Sequence, residues 1–599
     1  MSASASVSAS TAAAPRATMP SAAGEKEAEA QLARLLDEDW EAHLREEPTF
    51  ASLEGDARYA GLWEDQSPLA QERQRRRVEE VLGRLVAIER GALSGPSRLT
   101  YDLFRRRCEL HLEGYRQGVH LLALTSLAGP QYDADLSRLL RFESSTDFEA
   151  WNARLAAYPE RLEKLTELLK RGLATRVVPT QSAMRQVGKA LQAELGASPE
   201  QCPFYAPLAR ARPQTVPEEN WAAHVARARE AISQHVQPAL RRFIAFFERE
   251  YFPAGHSADG WWQLPGGEQR YTYQIYQQTT RHLSPGEVHA LGLREVARIR
   301  AKMERILTEV RFAGPLEEFF RYLREEPRFY GRDANALLEA YGAMVERVER
   351  ALPLAFHPAV APPLTVATIP ESQAEVAPAA MYRAAARDGS RPAALLVNVF
   401  HAEERPTWDL PTVALHEGVP GHHLQIATAR ARGDSAKFRR YTSYMAYAEG
   451  WALYAESLGA ELGLFGDAYA RFGQLASEMW RAVRLVVDTG LHHARWDRQR
   501  AIQYFLENSP RPLDDVTREV DRYIALPAQA LAYKVGELTI RGLRERAEAG
   551  LGSRFSLPDF HEVVLRGGAV PLDVLELSVS AWIVEQRPRP AADPKSVAN

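Results

Sequence analysis

Residues 416–423 read His-Glu-Gly-Val-Pro-Gly-His-His, a block of polar chemistry between apolar neighbours: Val413, Ala414 and Leu415 before it, Leu424 and Ile426 after it. In the pattern His-Glu-x-x-His, two histidines four apart share one face of a helix and bind zinc, while the glutamate beside the first works on the metal's water. Position 420 is proline, so the octapeptide reads as such a ligand helix with two residues inserted. Pro420 has no N–H to give the carbonyl of His416 and costs about 3 kcal/mol inside a regular helix. Gly421 adds backbone freedom. A kink or bulge at Pro420-Gly421 that loops out two residues carries His422 to the place of the second ligand. An unbroken helix favours His423 instead, because seven steps of about 100° return nearly to the starting face and six do not. Spacing alone does not rank the two.

A third ligand is available on the next amphipathic segment, Tyr447-Ala448-Glu449-Gly450-Trp451-Ala452-Leu453-Tyr454-Ala455-Glu456, whose Glu449 and Glu456 are seven apart and can share a face. Three protein ligands plus water make an open, catalytic zinc site, and four close it; the carboxylate helix therefore favours catalysis. Glu456 reads equally as a carboxylate that orients a ligand histidine or as a solvated side chain. Amide hydrolysis also needs donors aimed at a developing oxyanion. The candidates are His492, which follows Asp488-Thr489-Gly490-Leu491, and Tyr533, which opens Tyr533-Lys534-Val535-Gly536. Their plain alternatives are a buried hydrogen-bonded histidine and a core tyrosine. Arg481 and Arg484, three apart, lie side by side on a helix. A guanidinium reaching the cleft would anchor a peptide C-terminus and make a carboxypeptidase; internal salt bridges are the ordinary alternative.

Four segments carry a resemblance to a known family: HEGVPGHHLQ at 416–425, AEGWALYAE at 448–456, RAVRLVVDTGLHHARW at 481–496 and ALPAQALAYKVGELTIRGLR at 525–544. In order and approximate spacing they resemble the peptidase-like domain-of-unknown-function 885 (DUF885) family, related to zinc peptidases whose third ligand is glutamate. A weaker likeness runs through LPGGEQRYTYQIYQQTTRHLSPGEVHALGL at 264–293. The resemblance implies His422 rather than His423 as ligand, since the histidine directly after Pro-Gly is the constant one. It further implies Glu449 as the remaining ligand of Zn2+, Glu417 as general base, and Tyr533 and His492 at the oxyanion. For the whole chain it implies a two-lobed helical body with a deep channel that admits short, unstructured peptides.

The elements that must position these groups are mostly helical. Apolar stripes at helical spacing run through Ala28 to Glu46 and near 74–92, 99–123, 147–172, 217–251 and 334–351. Ser284-Pro285-Gly286-Glu287 forms a capping box with proline at the first helical position, opening a helix through about Leu307. Residues 391–400, apolar and preceded by Asp388-Gly389-Ser390, predict a strand. That strand offers either an edge on which substrate backbone is held or a small hairpin packed in the core. Pro/Gly-rich stretches at 253–267 and 352–370 are the candidate boundaries, the first with Trp261 and Trp262 in a loop that lines substrate or packs beneath it. The expected class is mostly α with a minor β element beside the zinc helix. The expected division is a Ser/Ala-rich disordered tail at 1–25, one catalytic unit at 26–590 split into a helical lobe at 26–265 and a zinc-bearing lobe at 266–590, and a tail at 591–599.

Composition narrows the partners. The 599 residues are 45% apolar, with 74 basic against 78 acidic side chains and a net charge of −4, and no long run of one sign, which argues against nucleic acid. No run of about eighteen apolar residues predicts a membrane span. Cys108 and Cys202 lack the spacing of a redox or zinc pair. The opening residues lack the charged start and apolar core of a secretory signal, although many members of the resembled family carry one; the expectation is a cytoplasmic protein. The expected activity is zinc-dependent hydrolysis of short peptides, with hydrolysis of another amide, or a non-catalytic helical binding protein, as alternatives. Side-chain preference, cleavage direction and oligomeric state are not encoded legibly.

Overall fold

The computed structural model describes residues 22–358, 362–374, 377–386, 391–431 and 436–586. It is mostly helical, with one three-stranded sheet. Of the expected tail, 1–21 lies outside the described residues, as does 591–599, while residues 22–25 already belong to the first helix, Ala22–Glu46. The capping box is formed: Glu287 N–H donates to Ser284 Oγ (3.3 Å) and Ser284 N–H to Glu287 Oε2 (2.8 Å), and the helix it opens runs Pro285–Glu309. No described helix is long and apolar enough to cross a membrane.

The sheet has strands β1 (Thr365–Thr368), β2 (Ala380–Arg383) and β3 (Ala394–Val397), in the order β1-β3-β2. β3 pairs in parallel with β1 and antiparallel with β2. Of the two readings of 391–400, a substrate edge or a small element packed in the core, the structure favours the second: β3 is the central strand, buried along its whole length, as a continuous apolar run predicts when both faces are covered. β1 falls inside 352–370, so that stretch is built into the sheet rather than separating two bodies.

The cores divide differently from the expected boundary at 265. Residues 124–252 do form their own apolar cluster, ending just before the break at 253–267. The helices Ala22–Glu46, Pro68–Val86 and Gly95–Arg116, however, share a core with the segments that carry the metal-ligating motifs. A third cluster joins Pro285–Glu309 to the long helix Ala468–His492.

Candidate metal centre

The helix that begins at Leu410 stops at Glu417, and a second begins at His422 and runs to Ala431. Hydrogen bonds show how the two connect. Gly421 N–H donates to the carbonyl of Leu415 (3.0 Å) and His423 N–H to that of Gly418 (3.1 Å). In a regular helix the donor to Leu415 would be residue 419, so Gly421 stands where 419 would be and two residues are looped out. The Val419–Pro420 peptide is cis. A side chain on Gly421 would meet the His416 carbonyl oxygen at 2.0 Å, which leaves room only for glycine. The loop's outward carbonyl, on Pro420, accepts from the indole N–H of Trp451 (2.8 Å), so the carboxylate helix Met445–Leu458 clasps the insertion directly.

With two residues removed from the helical count, His422 takes the position four after His416. The rings lie perpendicular with centroids 4.9 Å apart. Nε2 of His416 is 3.6 Å and Nε2 of His422 3.5 Å from the same Glu449 oxygen, Oε2. Ligand atoms about 2.0–2.1 Å from a tetrahedral zinc ion stand about 3.3 Å from one another, so the donor set fits the ion. Glu417 Oε1 lies 4.0 Å from His416 Nε2, and the His416, Glu417 and His422 donor atoms all fall within 4.8 Å of one another. His423 points elsewhere: its Nε2–H donates to the Pro362 carbonyl (2.8 Å) and its Nδ1 accepts from the Tyr382 hydroxyl (3.2 Å). Of the two histidines, His422 is thus the one that stands beside Glu449.

Glu456 is fully buried and accepts the Nδ1–H of His416 at 2.8 Å, which fixes the tautomer and leaves Nε2 to face the centre. Burial acts to lower the His416 pKa, but the hydrogen-bonded carboxylates of Glu449 and Glu456, with Glu417 nearby, outweigh it and raise it to about 9. Burial acts to raise the Glu449 carboxyl, and the two imidazoles hold it well below its usual range. Three carboxylates lie around the two imidazoles, a charge that a cation or protons between them would offset.

The remaining residues divide. The Tyr533 ring packs under the Arg484 guanidinium (4.4 Å) and beside that of Arg481 (5.9 Å), and Arg481 in turn reaches to 3.7 Å from Glu456; Tyr533 is thus linked to the cluster through Arg481. His492 is not. Its Nδ1 accepts from Trp261 N–H (3.2 Å) and its Nε2–H donates to the Tyr523 carbonyl (3.0 Å). It also lies eleven residues beyond Arg481 on one helix, about 16 Å along the axis. Burial pushes its pKa down to about 4. The loop holding Trp261 thus packs beneath the helix end. Arg484 is committed to Glu519 (3.0 Å) and the Tyr523 hydroxyl (3.0 Å), the internal salt bridge weighed against a peptide anchor. One contributor had no signal in the sequence: Tyr382 of β2, whose backbone N–H donates to Glu417 Oε2 at 2.8 Å. It is β2, and not β3, whose outer edge faces the centre.

The model of the family described as "Bacterial protein of unknown function (DUF885)" matches residues 48–579. Among solved structures, "the putative lipoprotein from Colwellia psychrerythraea" is 28% identical, with a TM-score of 0.86 over 93% of this chain and 100% of that one. A "putative lipoprotein of unknown function from Shewanella oneidensis" is 16% identical, with a TM-score of 0.75 over 91% of this chain and 99% of that one, a likeness of fold. No curated protein matches the chain.

Proposed function

We propose that this chain, which belongs to the DUF885 family, is a zinc-dependent hydrolase of short peptides, of the kind whose third metal ligand is glutamate. The observation that carries this reading is the convergence of the His416 and His422 Nε2 atoms on one Glu449 oxygen, with the Glu417 carboxylate alongside. His416, His422 and Glu449 would hold the ion, which supplies Lewis acidity and lowers the pKa of water towards 7. Glu417 takes the proton from the attacking water and returns it to the nitrogen of the leaving amine. Its second oxygen stays fixed by the Tyr382 N–H. Tyr533 would donate its hydroxyl to the oxyanion; His492, with both ring nitrogens engaged in the core, is left out of this role. Glu456 keeps His416 turned towards the centre. A two-lobed body with a channel would confine the reaction to short, unstructured chains.

Digestion of a mixed library of peptides and acylated amino acids by the full-length protein, with and without chelator and read by mass spectrometry, tests the proposal. Chelator-sensitive cleavage of peptides, restored by zinc, is expected. Products from the acylated amino acids alone would move the activity to another amide. A purified protein that binds no zinc and yields no product would end the enzyme reading.

A further inference from the structure

A cavity of about 610 Å³ opens between Ala22–Glu46, Pro68–Val86 and the helix Tyr158–Thr175, within the range of small-molecule sites. No residue of the metal cluster lines it. Its walls are charged, and most of that charge is matched: Glu46 pairs with Arg77 (2.8 Å), and Lys164 with both Asp65 (3.3 Å) and Glu160 (2.7 Å). Glu64 accepts from the backbone N–H of Thr49 (2.9 Å) and from its hydroxyl. Glu47 is different. Its carboxylate lines the cavity and meets neither a hydrogen-bond donor nor a cation among the described residues. A carboxylate in open water needs no such partner, but Glu47 is only partly exposed; burial, with repulsion from Glu64 and Glu46, raises its carboxyl to about 7. The buried carboxylates Asp39, Asp409 and Glu478, by contrast, each hold a cation: Arg77, Arg511 and Lys534.

The opposite charge stands in the same wall. Arg161 is 7% exposed and lines the cavity. One of its terminal nitrogens donates to Gln66 Oε1 and the other lies 3.6 Å from Asp133, which leaves its Nε–H without an acceptor. The guanidinium is near enough to act on the Glu47 carboxyl, lowering it against the other influences, yet the two form no ion pair. A zwitterion supplies both missing partners at once, because an ammonium carries three donors and a carboxylate accepts from a guanidinium. In a partly enclosed space such pairs are stronger than in open water. We infer that this cavity binds a zwitterionic α-amino acid, its ammonium towards Glu47 and Glu64 and its carboxylate towards Arg161. Leu62 and Trp63 give the side chain an apolar wall. The inference does not depend on the hydrolytic reading of the metal centre.

The test is calorimetric binding of leucine and its blocked forms to the full-length protein. Leucine carries both charges, leucinamide only the ammonium, N-acetyl-leucine only the carboxylate, and N-acetyl-leucinamide neither. Leucine is expected to bind about tenfold or more tightly than each blocked form. Glu47→Gln keeps the shape of the side chain and removes its charge, and is expected to bring leucine down to the level of N-acetyl-leucine. An amino acid captured by the metal centre would be captured equally in that variant, so the comparison isolates the cavity. Because the change removes a carboxylate that the fold leaves unmatched, the variant is also expected to melt no lower than the wild type, so that lost binding cannot be put down to lost structure. No binding of leucine, equal binding of leucine and leucinamide, a preference that survives Glu47→Gln, or a variant that melts lower than the wild type would each overturn the inference.

Discussion

At the scale of single residues, the roles of Glu417 and Glu456 separate by what each touches. In the proposed mechanism Glu417 is the base, so Glu417→Gln is expected to keep stoichiometric zinc and lose turnover by about 10²–10⁴; a variant retaining full activity would remove it as the base. Glu456 touches only His416 at the centre, so Glu456→Ala is expected to weaken zinc binding by about 10–100-fold, and Glu456→Gln, which keeps an acceptor oxygen, to recover part of it. Unchanged zinc affinity in both would reduce Glu456 to packing. His492 offers a different measurement. Its folded pKa lies near 4 against an ordinary 6.5, so between those values the unfolded chain binds a proton that the fold refuses. The stability it contributes is complete above about pH 6.5 and is lost as pH falls towards 4, at about 1.4 kcal/mol per pH unit and about 3 kcal/mol in all. In urea unfolding from pH 7 to 4.5, His492→Gln is expected to lose ground to the wild type most at neutral pH, the gap closing with acid; a gap independent of pH would contradict a neutral buried imidazole.

At the scale of elements, the site depends on how closely two helices cross. Gly450, next to Glu449, meets Gly536, three residues after Tyr533. A Cβ on Gly536 would lie 1.8 Å from the Ala446 carbonyl oxygen, and one on Gly450 2.5 Å from Gly536 Cα. Both obstacles are backbone, so the helices Met445–Leu458 and Ala532–Leu551 would have to separate, moving Glu449, the proposed ligand, and Tyr533 together. Gly536→Ala is expected to cost about 1–3 kcal/mol and to weaken zinc binding as well. Gly542→Ala, on the same helix with nothing within 4 Å, is expected to stabilise by a few tenths to about 1 kcal/mol; equal effects from the two would refute the crossing as the cause. Much of this level was legible beforehand. Proline inside a ligand motif announces an insertion because it cannot continue the helical ladder, and Glu449 and Glu456 announce a shared face by their spacing. For His492 the resemblance implied the oxyanion and a buried hydrogen-bonded histidine was the plain alternative; periodicity could not choose, because it gives the angle of a residue around a helix and says nothing of which height along a 25-residue helix faces the site. Residues 391–400 left a substrate edge and a packed hairpin equally open, because an apolar run reports burial, not which neighbours pair with it.

At the scale of the whole molecule, the same limit applies to assembly. The amphipathic stripe of Ala22–Glu46 looks alike whether it packs on the adjoining N-terminal helices or on a body hundreds of residues away, so its place in one core with Leu415, Leu424 and Trp451 could not be read from its own sequence. What joins the distant segments is partly ionic. Lys534, fully buried, donates to Glu478 (2.7 Å) and Glu537 (2.8 Å) and lies 3.1 Å from Glu295. Arg298 bonds to Glu295 and Glu478, and Arg541 to Glu537. Three cations thus balance three carboxylates drawn from Pro285–Glu309, Ala468–His492 and Ala532–Leu551. Burial acts to lower the Lys534 pKa, and the carboxylates around it raise it instead, so the ammonium stays charged. Removing it leaves buried carboxylates in excess, and Lys534→Met is expected to cost about 3–5 kcal/mol. Exchanging Arg105 for Met, whose partner Glu109 shares an exposed surface, is expected to cost no more than about 1 kcal/mol. Because Lys534 follows Tyr533 directly, a Lys534→Met protein that still folds is expected to bind zinc normally yet turn peptides over more slowly. Thermal unfolding, zinc titration and turnover on one preparation measure all three, and a melting temperature equal to that of the wild type would show that packing alone holds the three helices together.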